Sequence, residues 1–170
     1  SGMLDSIGTD HCPFTMEQKR MGKDNFTQIP NGAAGIEDRL QLLYTYGVCE
    51  GRIDLQRMVA LGTTNPARIF GLYPRKGTVA VGSDADLVLY DPTSEGARSA
   101  KAHHSKCDRN IFEGFKVKGK PTYVVVNGRV QFRDGKLDVE RGAGRFLTRE
   151  VAKGGAPHSA GAAAALGRTG

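Results

Sequence analysis

An α/β segment followed by a β-rich one is the fold class this sequence predicts, on three features. A short strand-like stretch from Leu4 to Thr9 ends in Asp10-His11 and is stopped by Pro13. Helix-period segments then occupy 36 to 73. From Lys76 onward, short strand-like runs are separated by turn residues, Asn-Gly and Asp-Gly among them. This change of character at Lys76, from helix-period segments to short strands, marks a boundary between helical and β-rich parts.

Each element has its own justification. Residues 4–9 read as a strand whose C-terminal end presents an acid and a histidine. Active sites of parallel α/β folds assemble at that end of the strands. Residues 14–35 read as a long loop, which is often functional. It carries Lys19, Arg20, Lys23 and Asp24, then Ile29-Pro30-Asn31-Gly32. A helix is predicted over 36–46, with Ile36, Leu40, Leu43 and Tyr44 on one face and Gly47 as its stop. Asp54 is a good N-cap for a second helix bearing Leu55, Met58, Val59 and Leu61. Pro66, near a first helical position, starts a third helix that runs to Tyr73-Pro74.

Strands are predicted at 77–82, 85–91, 115–117, 122–126 and 129–132. Asn127-Gly128 is a two-residue hairpin signal, and Asp134-Gly135 a second turn before 136–139. The pattern suggests a small antiparallel layer or a sandwich. Residues 151–170 are rich in Gly and Ala, with four alanines ending at Ala165. Glycines flank that run and oppose a helix, so a disordered or loosely attached tail is expected. The organisation expected is therefore 1–75, 76–150 and a 151–170 tail.

Composition narrows the function classes. A chain of 170 residues can build one domain with a core. No run approaches the ~20 apolar residues that span a bilayer, and no basic-then-apolar leader opens the chain. Cys12, Cys49 and Cys107 are odd in number and widely spaced, with no Cys-x-x-Cys. Free thiols in a reducing, cytoplasmic compartment are expected. The formal charge is +6, but residues 141–170 carry +4 of it through Arg141, Arg145, Arg149, Lys153 and Arg168 against Glu150. The nearly neutral body has no basic face interleaved with aromatics, so neither nucleic acid nor membrane is an expected partner.

Spacing alone leaves the polar candidates open. Asp10 reads as a turn or cap aspartate as well as a ligand, Asn31 as a turn residue before Gly32, and His11 as a packed histidine. His103-His104 has the composition of a zinc pair. Two longer patterns carry more. Gly8-Thr9-Asp10-His11-Cys12-Pro13-Phe14 precedes Gly22-Lys23-Asp24-Asn25-Phe26, Ile29-Pro30-Asn31-Gly32 and Gly35-Ile36-Glu37-Asp38-Arg39. Phe70-Gly71-Leu72-Tyr73-Pro74 and Lys76-Gly77-Thr78 precede Gly82-Ser83-Asp84-Ala85-Asp86-Leu87-Val88. In this order the chain, over about residues 2 to 147, resembles dihydropyrimidinases and D-hydantoinases, cyclic amidohydrolases of the amidohydrolase superfamily.

The resemblance implies the C-terminal portion of such an enzyme. The last strand and following helices of a (β/α)₈ barrel would join the C-terminal part of a β-sandwich. It implies two divalent metal ions, zinc above all, which lower the pKa of a water and polarise a carbonyl. It implies ring opening of a cyclic ureide or imide to an N-carbamoyl amino acid, and homotetramers. Asp10 matches the aspartate that is both metal ligand and catalytic proton carrier. Asn31 matches the asparagine that binds the substrate ring, and His11 could orient Asp10. No metal is expected at His103-His104, which falls on a sandwich-edge loop in the family. The family's four metal-binding histidines and its carboxylated lysine lie upstream of the matched region, and none can be assigned here. The chain alone is therefore expected to hold no stable metal centre and to be inactive. Two alternatives stand beside this reading: a non-catalytic dihydropyrimidinase-like assembly protein, and a related dihydroorotase or allantoinase.

Overall fold

A computed structural model describes residues 2–149. The tail expected at 151–170 lies outside the described residues.

The chain opens with an extended segment, not the strand expected over 4–9. Its one sheet-like contact is an isolated parallel bridge between His11 and Ala33. A strand needs a partner along its length, and among the described residues Leu4 to Asp10 has none. Side chains and one backbone bond hold it instead. The Ile7 amide donates to the Leu61 carbonyl (3.3 Å), Arg39 Nη1 to the Ile7 carbonyl (3.3 Å), and Arg57 to the Leu4 carbonyl.

The expected loop 14–35 contains a short helix, α1 (Met16–Arg20). Thr15 and Gln18 form its capping box: the Thr15 hydroxyl accepts from the Gln18 amide (3.2 Å), and Gln18 Oε1 from the Thr15 amide (2.8 Å). Its signature, Thr-x-x-Gln, is legible in the sequence itself at Thr15 and Gln18.

The next helix starts later and ends later than expected. It comprises α2 (Arg39–Leu42) and the wider π-turns of Leu43–Cys49. Ile36 is exposed and precedes it. Gly47 lies within it and does not stop it; a Cβ there would stand 3.2 Å from Ile53 Cδ1, so this glycine makes room for packing. The reversal follows at Gly51, with φ +69°.

The expected second and third helices are one continuous rod. Asp54 caps α3 (Leu55–Val59) by accepting from the Arg57 amide at 2.6 Å. π-turns over Ala60–Thr64 then lead into α4 (Asn65–Ile69), with Pro66 in its first turn. Proline has no N–H for a preceding carbonyl, and a widened turn before it accommodates that loss. Met58, Leu61 and Ala67 are the rod's buried side chains.

Residues 77–82 form no strand. Val79 and Val81 are 83% and 108% exposed, because among the described residues no strand pairs with them. The sheet begins with β1 (Leu87–Ala97) and continues through β2 (Lys116–Val126), β3 (Arg129–Arg133) and β4 (Lys136–Leu137). It is an antiparallel meander in the order β1-β2-β3-β4. The runs expected at 115–117 and 122–126 are one strand, with register shifts against β1. Asn127 (φ +50°) and Gly128 (φ +78°) make the expected hairpin turn, and Val126 pairs with Arg129. Positive φ at both central residues matches the right-handed twist of the strands it joins.

Among the described residues this is a single sheet, not the two layers of a sandwich. The 39–49 helix fastens to it near a shift in β-pairing. Gln41 Nε2 donates to the Gly119 carbonyl (2.5 Å), Thr45 Oγ1 accepts from the Lys118 amide (2.8 Å), and the Tyr46 hydroxyl donates to the Lys116 carbonyl (2.8 Å).

Candidate active site

Asp10 is a non-glycine residue at φ +45°. That left-handed conformation costs an L-residue about 1–2 kcal/mol, though aspartate tolerates it better than most. The turn directs the chain past an open cavity of about 920 Å³, lined by Asp10, Gly32 to Gly35 and apolar side chains of the α2 rod and the 111–115 segment. Asp10 itself is exposed.

The second half of the site is the 29–36 loop. His11 bridges to Ala33, and the Cys12 amide donates to the Ala33 carbonyl at 3.1 Å. Gly32, at φ +128°, lies so close to Cys12 that a Cβ would fall 2.5 Å from the Cys12 carbonyl oxygen. Only glycine permits this approach. His11 Nδ1 accepts from the Gly35 amide (3.1 Å) and the Ile36 amide (3.3 Å), which leaves Nε2 as the ring N–H.

All three predicted residues therefore fall on two adjoining segments. Asp10 and His11 lie on one, and Asn31 on the other. His11 fastens the loop and, among the described residues, makes no hydrogen bond to Asp10. Asn31 is exposed, and its carbonyl faces the Cys12 thiol at 3.8 Å. Its N–H and carboxamide engage nothing among the described residues. Lys19, in sequence only one of the charges of the 14–35 loop, donates from Nζ to the Gly32 carbonyl (2.8 Å) and to the Pro30 carbonyl.

Among the described residues no group of three or more His, Cys, Asp or Glu could hold a metal ion. Zinc takes about four ligands. An exposed carboxylate at a cavity rim suits one coordination position, so these residues fit a share of a metal centre and not the whole.

The histidine pair belongs elsewhere. Asp38, fully buried at the start of α2, has Oδ1 in contact with Arg98 Nε (2.5 Å), His103 Nε2 (3.1 Å) and Asn110 Nδ2 (3.2 Å). Arg98 also donates to Gln41 Oε1. Asp38 Oδ2 has no partner among the described residues. Next to this knot, Glu37 accepts from the amides of His104 (3.0 Å) and Ser105 (2.7 Å), and its Oε2 lies 3.0 Å from His104 Nδ1. Burial alone would raise the Glu37 pKa. The His104 and Ser105 hydrogen bonds outweigh it and hold the carboxyl below its ordinary value. Neither histidine faces the cavity rim that carries Asp10.

The Amidohydrolase family profile matches residues 1–131. The chain is 47% identical over 150 residues to dihydropyrimidinase of Rattus norvegicus, covering 88% of this chain and 29% of that protein. It is 46% identical over 150 residues to D-hydantoinase of Geobacillus stearothermophilus, covering 88% and 32%. The structure of a D-hydantoinase (dihydropyrimidinase) from Thermus sp. superimposes with a TM-score of 0.85 at 56% identity, over 88% of this chain and 32% of that one. The chain thus spans about a third of the length of the relatives it matches. A rim aspartate on a strained turn, an asparagine loop bridged to it and a profile match across most of the sequence lead to one conclusion: this chain belongs to the amidohydrolase family and, within it, is similar to dihydropyrimidinases and D-hydantoinases.

Proposed function

We propose that this chain forms part of a cyclic amidohydrolase that opens cyclic ureides, such as dihydropyrimidines and hydantoins, to N-carbamoyl amino acids. The observation that carries the reading is the paired ledge: Asp10 at the cavity rim and Asn31 beside Cys12, with the Asn31 N–H and carboxamide unengaged. Family membership implies divalent metal use in the full enzyme. We take the ions to be two zincs, which when bound supply a polarised ring carbonyl and a water of lowered pKa. Asp10 would hold one ion. As water adds to the ring amide carbon and the C–N bond breaks, the Asp10 carboxylate carries the water's proton to the leaving nitrogen. The Asn31 carboxamide offers a donor and an acceptor that suit the imide edge of the ring. His11 acts on Asp10 through the loop it fastens.

The remaining ligands are supplied from outside this chain, which by itself would be inactive. On this reading 1–75 closes the barrel and 76–150 completes the sandwich. Exposed apolar side chains such as Leu4 (71%) and Val81 (108%) are then covered by upstream chain and by neighbouring subunits of a homotetramer. The free thiols suit a reducing cytoplasm.

The test measures metal content and ring opening of dihydrouracil and hydantoin. It compares the chain alone with the chain joined to the upstream two thirds of a hydantoinase. Turnover is expected only in the joined form, falling roughly 10³-fold in Asp10→Asn. Turnover that survives Asp10→Asn would sink the assignment.

A further inference from the structure

The geometry points to Lys19 as the positioning residue that holds Asn31 ready for the substrate ring, an inference that rests on the proposed role of Asn31. Three features converge on this ammonium. Its Nζ donates to the carbonyls of Pro30 and Gly32, the two residues that flank Asn31. Its remaining side lies over the Phe14 ring, 5.1 Å from the centroid, a favourable seat for a cation. Its backbone sits in α1, whose start is fixed by the Thr15–Gln18 capping box and by the Met16 amide donating to Asp108 Oδ1 at 2.9 Å. A short helix with no buried side chain has little to stabilise it apart from such caps.

The consequence falls on Asn31. The Pro30 carbonyl, turned toward Lys19, sets the peptide plane before Asn31, and the Gly32 carbonyl sets the plane that follows Gly32, while the Asn31 carbonyl between them faces the Cys12 thiol. Gly32 is also pressed against Cys12, and Ala33 is bonded to it. Asn31 is left as the exposed member of a loop pinned at both ends, its N–H and carboxamide unengaged among the described residues. A recognition group held in this way loses little freedom on binding. Lys19 touches neither substrate nor metal in this scheme; it acts through Asn31.

Lys19→Met is the informative variant, because methionine keeps the length and the helix propensity of lysine but donates nothing. In the joined enzyme, kcat/KM for dihydrouracil should fall about 10- to 100-fold, chiefly through KM, and Lys19→Arg should recover most of it. In the full 170-residue chain, amide exchange in the 29–36 peptide should accelerate about 10-fold in Lys19→Met and stay near its original rate in Lys19→Arg. A purely structural lysine would lower the active fraction or the melting temperature and leave KM unchanged. That result, or unaltered exchange, would overturn the inference. Failure of the unmodified joined enzyme to turn over would count against the ring-opening reading, and the exchange rates would still decide whether Lys19 holds the loop.

Discussion

The ledge that carries Asp10 and Asn31 lies within thirty residues of Asp38, the centre of the knot, yet ledge and knot treat polar groups in opposite ways. On the ledge, backbone is pinned and polar side chains are left unengaged: Lys19, His11 and Gly32 hold main chain, while Asn31 and Asp10 stay exposed. In the knot, side chains are engaged with one another. Asp38 is fully buried against Arg98, His103 and Asn110. Groups left open to solvent and groups engaged within the fold are thereby separated. The knot ties the start of α2 to the 98–110 segment, and α2 in turn supplies Arg39, which holds the Asp10 segment through the Ile7 carbonyl.

Stability measurements can break this contrast. The largest effect is expected at Asp38. Asp38→Ala leaves the Arg98 guanidinium nearly buried without its carboxylate and should cost about 3–5 kcal/mol in urea unfolding. A loss below about 1 kcal/mol would mean that the knot is not a stabilising unit.

Asp10 should respond in the other direction. Asp10→Gly removes a left-handed strain of about 1–2 kcal/mol, partly offset by glycine's greater freedom when unfolded. Stability should be unchanged or raised by up to about 1 kcal/mol, while the joined enzyme loses ring opening. A strongly destabilised Asp10→Gly would show that the carboxylate serves the fold.

The smallest effect concerns pH. The Glu37 carboxyl sits below its ordinary value of 4.5, so the folded state holds the charged form more firmly than the unfolded chain does. Its contribution is fully present above about pH 4.5 and is lost as pH falls through the lower folded value. Urea midpoints from pH 6 to pH 3 should drop less steeply for Glu37→Gln than for the original chain, by under about 1 kcal/mol. Parallel curves would exclude Glu37 as a contributor to acid sensitivity.

The same contrast explains what could be read in advance. Asp10 and Asn31 stand in runs of neighbouring residues whose order is distinctive, so the ledge was visible in one dimension. Asp54 and Asn127-Gly128 were visible for the same reason, since a cap or a two-residue turn is decided within four residues. The knot was not visible. Glu37-Asp38 entered only as part of a motif, because the partners that give Asp38 its role are 60, 65 and 72 residues away. Lys19 was noticed as a loop charge, and its carbonyl partners appear only once α1 turns it toward Pro30 and Gly32. The strands expected at 4–9 and 77–82 fail for a related reason: a local run states at most a willingness to pair, and pairing requires a second strand.

By itself, then, the sequence determined the family, the helical-then-β order, the caps and hairpin turns, and the ledge residues, because each is set by local backbone preferences or by a contiguous pattern. Tertiary structure alone decided that helices 55–69 form one rod, that Gly47 serves packing, that His103 and His104 face Asp38 and Glu37, and that Lys19 grips the Asn31 loop. Those outcomes depend on which distant groups come within about 3 Å of one another, a distance that no local propensity encodes.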